Sequence, residues 1–188
     1  MHREKTNIGD SCTASVDRSA IHNESIELKG TYQVDCHDAS GVLKWNDVIG
    51  NLVTTVGKNS TMDTMLGNVA AGAVVMGLKG VGTAVVADTQ ASHASWLEVG
   101  LANLPTYTGT RKTPVFGVAV AGVKTTSSTV VFTMSGTGTV AGCFINIGGS
   151  ATQDNTTGVL YSAGDFTAGS KAVTSGDTLS VTYSATAA

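Results

Sequence analysis

The stretch Ile26-Glu27-Leu28-Lys29-Gly30-Thr31-Tyr32-Gln33-Val34-Asp35-Cys36-His37-Asp38-Ala39-Ser40-Gly41-Val42-Leu43-Lys44-Trp45 decides the fold. Ile26, Leu28, Tyr32, Val34 and Cys36 fall on alternate positions, interrupted by Gly30, which is the spacing of one face of a half-buried strand. Asp38-Ala39-Ser40-Gly41 supplies turn chemistry, with Gly41 free to take a positive φ, and Val42 to Trp45 resumes the extended pattern. The reading is a β-hairpin.

Beyond the hairpin the period changes. From Gly57 to Leu66 the pattern is helical, with Asn59 or Ser60 available as a cap, Met62, Met65 and Leu66 on one side facing the core, and Gly67 as a stop. A second helical turn falls near Ala91 to Trp96. Beyond Ala73 the pattern returns to strands, in the runs Ala73 to Leu78, Val115 to Val123, Thr129 to Met134, Thr139 to Ile147, Gly158 to Phe166 and Thr178 to Ser184. Thr83 to Val86 also favours strand. Gly- and Ser-rich turns separate these runs, and no helix-length segment lies between them, which disfavours parallel βαβ units. The expected fold is all-β: an antiparallel β-sandwich or jelly roll with one or two short helices. Residues 26–188 form this domain and residues 1–25, polar and aperiodic, form an extended N-terminal arm, either a floppy terminus or a segment that orders against a neighbouring subunit.

Composition narrows the function. In 188 residues, 41% are hydrophobic and only 13% charged, against roughly 25% charged in an ordinary globular protein. Ser, Thr, Gly and Asn must therefore cover the surface. The formal net charge of −3, without clustered Lys or Arg, gives no footprint for nucleic acid. No segment approaches the length of a membrane-spanning helix, and the opening residues lack the apolar stretch of a signal peptide, so the expectation is a soluble chain made in a cytoplasm. On that expectation the glycosylation sequons at Asn23, Asn59 and Asn155 are chance occurrences.

Cys12, Cys36 and Cys143 are odd in number and far apart, and the last two read as small core residues in strands. Cys36 and His37 are neighbours on a strand and point to opposite faces, so they cannot share a metal site. Asp88, His93 and Ser92 or Ser95 form a Ser-His-Asp grouping only along the sequence, which carries no geometric warrant; Trp96 is expected to anchor this loop in the core. Gly77, Gly80 and Gly82 lack the helix N-terminus that a phosphate loop needs, and Gly57-Lys58 lacks the upstream glycine of a Walker motif. His2 and His22 lie in the arm. No catalytic, cofactor-binding or metal-binding residue is assigned, no cofactor is expected, and the chain is not read as an enzyme.

The succession of segments resembles a family of small virion structural proteins of tailed bacteriophages. The resemblance is carried by Ile26 to Tyr32, Val42 to Asp47, Asn51 to Asn59, Asp88 to Val99, Arg111 to Pro114, Thr129 to Phe132, Val140 to Ile145, Gly158 to Phe166 and Ser175 to Tyr183. It spans roughly Ile26 to Tyr183 and rests on the order of the segments rather than on one motif. Val74-Val75-Met76-Gly77-Leu78 departs from it, because similar proteins place aromatic residues there, and the arm is outside it.

The resemblance implies a virion structural protein, in a family whose names range from head decoration to tail fibre. The leading expectation is a head decoration or cement protein on the outer surface of the head, bound to the major capsid protein lattice as a homo-oligomer such as a trimer. A tail or neck fibre component is the alternative. A carbohydrate-binding or hydrolytic tail-spike module is a further one, although it would call for clustered aromatics or paired carboxylates, and aromatic residues make up only 5%.

Overall fold

The structure is a computed structural model and describes residues 25–67 and 69–188. Most of the arm therefore lies outside the described residues. The elements in chain order are β1 (Leu28–His37), β2 (Leu43–Gly50), β3 (Leu52–Val53), α1 (Thr55–Met65), β4 (Val74–Lys79), β5 (Glu98–Val99), β6 (Val123–Thr125), β7 (Val130–Thr133), β8 (Gly138–Val140), β9 (Gly142–Ile147), β10 (Val159–Asp165), β11 (Lys171–Val173) and β12 (Thr178–Ala187).

All strand pairs are antiparallel. One sheet runs β2-β1-β12, with β6 and β7 following each other along the far side of β12; the other runs β3-β10-β9-β4-β5, and β8 and β11 form a small ribbon. The fold is an all-β sandwich. Its core joins Tyr32, Val34, Cys36, Phe132, Leu179 and Val181 of the first sheet to Met76, Leu78, Cys143 and Ile145 of the second.

The β1–β2 hairpin forms as its sequence indicates. Asp38 Oδ1 accepts the backbone N–H groups of Ser40 (2.8 Å) and Val42 (2.9 Å), closing the turn, and Gly41 sits at φ 84°. The alternation starts at Leu28, however; Ile26 precedes the strand and is 61% exposed. Cys36 and Cys143 are both fully buried free thiols, as expected of small core residues. Burial pushes the Cys36 thiol up to about 11 and the Cys143 thiol up to about 12.

Several local readings are corrected. Helix α1 begins earlier, at Thr55, because Thr54 caps it by accepting the Gly57 N–H at 3.0 Å, while its hydroxyl donates to the Leu160 carbonyl at 2.5 Å. Its buried position is Gly57, and Met62, Met65 and Leu66 face outward. The reason is steric: a Cβ at Gly57 would collide with the Tyr161 carbonyl, so the helix lies on β10 by its glycine face rather than by its methionines. Residues 91–96 form no helix, and 83–86 lead into a turn rather than a strand. The run from Thr139 to Ile147 divides at Ala141, whose N–H bonds to Lys79 and whose carbonyl accepts from Phe166, so that β8 joins the ribbon and β9 the main sheet. Val115 to Val123 is a turn-bearing segment instead of one strand, as described below.

Candidate functional site

The second sheet is covered on its outer face by the loops 80–97 and 148–158, and charged residues hold them there. Arg111, 1% exposed, donates from Nε and Nη2 to the two oxygens of Glu98 (2.9 and 2.6 Å), from Nη1 to the Ser150 carbonyl (3.0 Å) and from Nη2 to the Asn155 carbonyl (2.8 Å). Glu98 Oε2 also accepts the Asp154 N–H, and the Arg111 guanidinium lies 5.4 Å from the centre of the Phe144 ring. Fully buried Lys79 pairs with Asp165 at 2.6 Å and donates to the carbonyls of Gly80 and Gly82. Asn146 completes the set, donating to Gln90 and the Thr157 carbonyl and accepting from Gly149. A buried charge demands such complete pairing, so these groups act as clamps that fix the backbone of both loops over the sheet.

The Ser-His-Asp segment is dispersed by the same packing. Asp88 Oδ2 accepts the indole N–H of Trp96 (2.9 Å) and the Val85 N–H; His93 stacks on the Trp96 ring at 4.0 Å and donates from Nδ1 to the Trp96 carbonyl at 2.9 Å. Trp96 is buried against Phe144, Leu160, Ala163 and Ala84, which fulfils its expected anchoring role. A cleft of about 380 Å³ opens beside this segment, lined in part by Gln90, Ser92, His93, Asn103 and Asp154. Two of its polar side chains hold backbone: Asn103 donates to the Glu98 carbonyl and Asp154 accepts the Ala102 N–H. The buried indole offers no exposed ring on which a sugar could stack.

Cys36 faces the core while His37, across a bulge, is only partly buried, so the structure does not bring the two together. Gly77 accommodates the Phe144 ring, and Gly82, at φ 117°, passes against the Ser95 carbonyl; both permit close packing rather than phosphate approach. Asn59 lies on α1 and Asn155 in the clamped loop, whereas Cys12, His2, His22 and Asn23 lie outside the described residues. Among the described residues, no three His, Cys, Asp or Glu side chains lie close enough to hold a metal ion, and no helix is long and apolar enough to cross a membrane.

The groups that stand out at the surface are apolar. Phe116 bridges to Thr126, Val120 and Val123 exchange hydrogen bonds of 2.9 and 3.0 Å, and Ala121 (φ 50°) and Gly122 (φ 76°) make the turn between them. This is a β-hairpin, with both central residues at the positive φ that two-residue hairpin turns favour. Ala121 holds that conformation despite its Cβ, which is uncommon. Val115, Val118 and Val120 are 58%, 89% and 72% exposed, respectively.

The hairpin is joined to the C-terminal strand, which in turn pairs with the residues entering β1. Ala187 N–H donates to the Gly122 carbonyl, and Glu27 and Ala188 exchange backbone hydrogen bonds of 2.7 and 3.0 Å. One end of the first sheet therefore gathers the exit of the arm, the C-terminal strand and an apolar hairpin. The sequence signalled Val115 to Val123 as extended, and the Ala121-Gly122 pair was the overlooked mark of its turn. No family model, curated protein or solved structure matches this chain.

Proposed function

We propose that this chain is a bacteriophage virion structural protein, a decoration protein that binds the major capsid protein lattice on the outside of the head and stabilises it. The observation that supports the reading best is the exposed Val118–Val120 hairpin beside the start of the domain and the C-terminal strand. Single exposed aliphatics are ordinary, whereas several on one projecting hairpin mark a contact surface. The sequence resemblance supplies the kind of partner.

The work of such a protein is thermodynamic. A ligand that binds only the assembled shell stabilises it by about 2.7 kcal/mol per site when its free concentration is a hundred times its Kd. A trimer at a lattice three-fold engages through several hairpins at once, so modest individual contacts give slow release. The charged clamps fit this role, because they hold the loop side of the sandwich rigid without offering a reactive centre.

Quantitative mass spectrometry of purified particles tests the reading. The expected result is a copy number commensurate with that of the major capsid protein. A handful of copies per particle would reassign the chain to a tail or neck appendage, and its absence from particles would overturn the proposal.

A further inference from the structure

Helix α1 leaves an apolar strip without a partner in its own domain. Met62 and Met65 are 46% and 62% exposed, and a groove of about 430 Å³ runs between them and Ile26 and Leu28, with Lys58 and Glu27 at its rim. A second groove of about 210 Å³, lined by Met65, Ala71, Val74 and Ile147, opens on the other side of Met65. Two apolar depressions thus flank one methionine, a side chain suited to adjustable apolar contacts.

What covers them is indicated by where the chain enters. Ser25 itself lines the larger groove, and 24 residues precede it. Extended, that segment reaches about 80 Å, whereas a domain of this size has a radius of gyration of only about 15 Å. A segment of that length is long enough to reach a second copy. The large apolar residues of the segment are Met1, Ile8, Val16 and Ile21, few enough to be used as separate anchors. Asp17 and Glu24 stand on either side of Ile21 in sequence, and Lys58 offers them an opposite charge at the rim.

We infer that residues 1–24 of one copy seat in the α1 groove of a second copy, so that the chain assembles by exchanging arms. The inference concerns contacts between copies of this chain and stands whether or not the particle is a phage head.

Cys12 provides the test, because Cys36 and Cys143 are fully buried and Cys12 is the one cysteine in the arm. Two differently tagged full-length chains are coexpressed. One keeps Cys12 and carries Met62→Asp and Met65→Asp; the other carries Cys12→Ser and keeps its groove. After Cys12 is labelled with a maleimide benzophenone and illuminated, the expected product joins the two tags at twice the chain mass, with the cross-link mapped to the α1 peptide bearing Met62 and Met65. Placing the two Asp substitutions in the acceptor chain as well should lower the yield at least ten-fold, while its urea midpoint stays unchanged because both side chains are exposed. Cross-links confined to single chains, cross-links mapping elsewhere, or no two-tag product would each overturn arm exchange.

Discussion

The two sheets of this sandwich solve the same problem in opposite ways. The first alternates along β1 and β12 between buried residues and exposed or half-buried ones, and places Thr31, Gln33, Asp35, Ser180 and Thr182 on its outer face. The second is buried on both faces: β4, β9 and β10 are almost continuously shielded, and their outer side is roofed by loops pinned through Arg111, Lys79 and Asn146. In a chain with so few charges, some of the scarce ones are spent inside. An open sheet face needs only Ser and Thr, whereas a loop laid over a sheet brings backbone polar groups that must be paired.

The largest expected effect separates the two sheets. Arg111→Ala leaves the Glu98 carboxylate buried without its cation and frees two loop carbonyls, and should cost about 3–5 kcal/mol in urea unfolding. Replacing both partners, Arg111→Met with Glu98→Leu, should recover much of that loss. On the first sheet, Thr182→Ala should change stability by no more than about 0.5 kcal/mol. Comparable losses at the two sites would erase the distinction.

Glycines sharpen the contrast. Gly57→Ala forces a Cβ into the Tyr161 carbonyl and should cost about 1–3 kcal/mol while displacing α1 from β10. Gly50→Ala, on the edge strand β2 with open space around the added carbon, should be nearly neutral. Thermal unfolding of the pair measures the difference.

A smaller effect follows from acid. Burial pushes the Asp177 carboxyl up, but Lys44, at 2.5 Å, and the Thr174 donors outweigh it and hold it below its ordinary 3.8. Its folded-state value being lowered, the stabilisation is present above about pH 4 and disappears as pH falls below that. Asp177→Asn should therefore be less stable than the wild type at pH 7, by about 1.5 kcal/mol, with the gap narrowing steadily below pH 4. At the other extreme, the thiols of Cys36 and Cys143 resist ionisation in the folded state. Stability should consequently decline as pH rises from about 9, where unfolded thiols ionise, toward 11 to 12. Urea titrations across pH check both limbs, and a Cys36→Ala, Cys143→Ala protein should lack the thiol part of the alkaline decline.

How much of this was legible in the sequence follows the same division. The alternation in β1 and the Asp38 to Gly41 turn are local, period-2 signals, and they placed the hairpin correctly; Val130 to Thr133, Val159 to Asp165 and Thr178 onward were recognisable for the same reason. The second sheet was harder to read in detail. Gly142 to Ile147 is a nearly unbroken apolar run, so its period reveals neither face, and the break at Ala141 depends on a hydrogen bond to Lys79. The methionines of α1 were assigned inward because helical spacing identifies a stripe without saying what lies under it. Here the close approach to β10 required Gly57 instead. Arg111 and Glu98 lie 13 residues apart in an uncharged context, and only the folded chain shows that they meet. The surface hairpin was visible as valines but not as a hairpin, because its turn rests on an alanine at positive φ.

Occupancy of the hairpin variant on particles tests the account most directly. Val118→Asp with Val120→Asp alters two highly exposed side chains and should leave the urea midpoint within about 0.5 kcal/mol of the wild type. Added to particles stripped of this protein and then sedimented, the variant should remain in the supernatant at concentrations where the wild type saturates the shell. A folded variant that sediments with particles as fully as the wild type would contradict the assignment of the hairpin as the surface that grips the lattice.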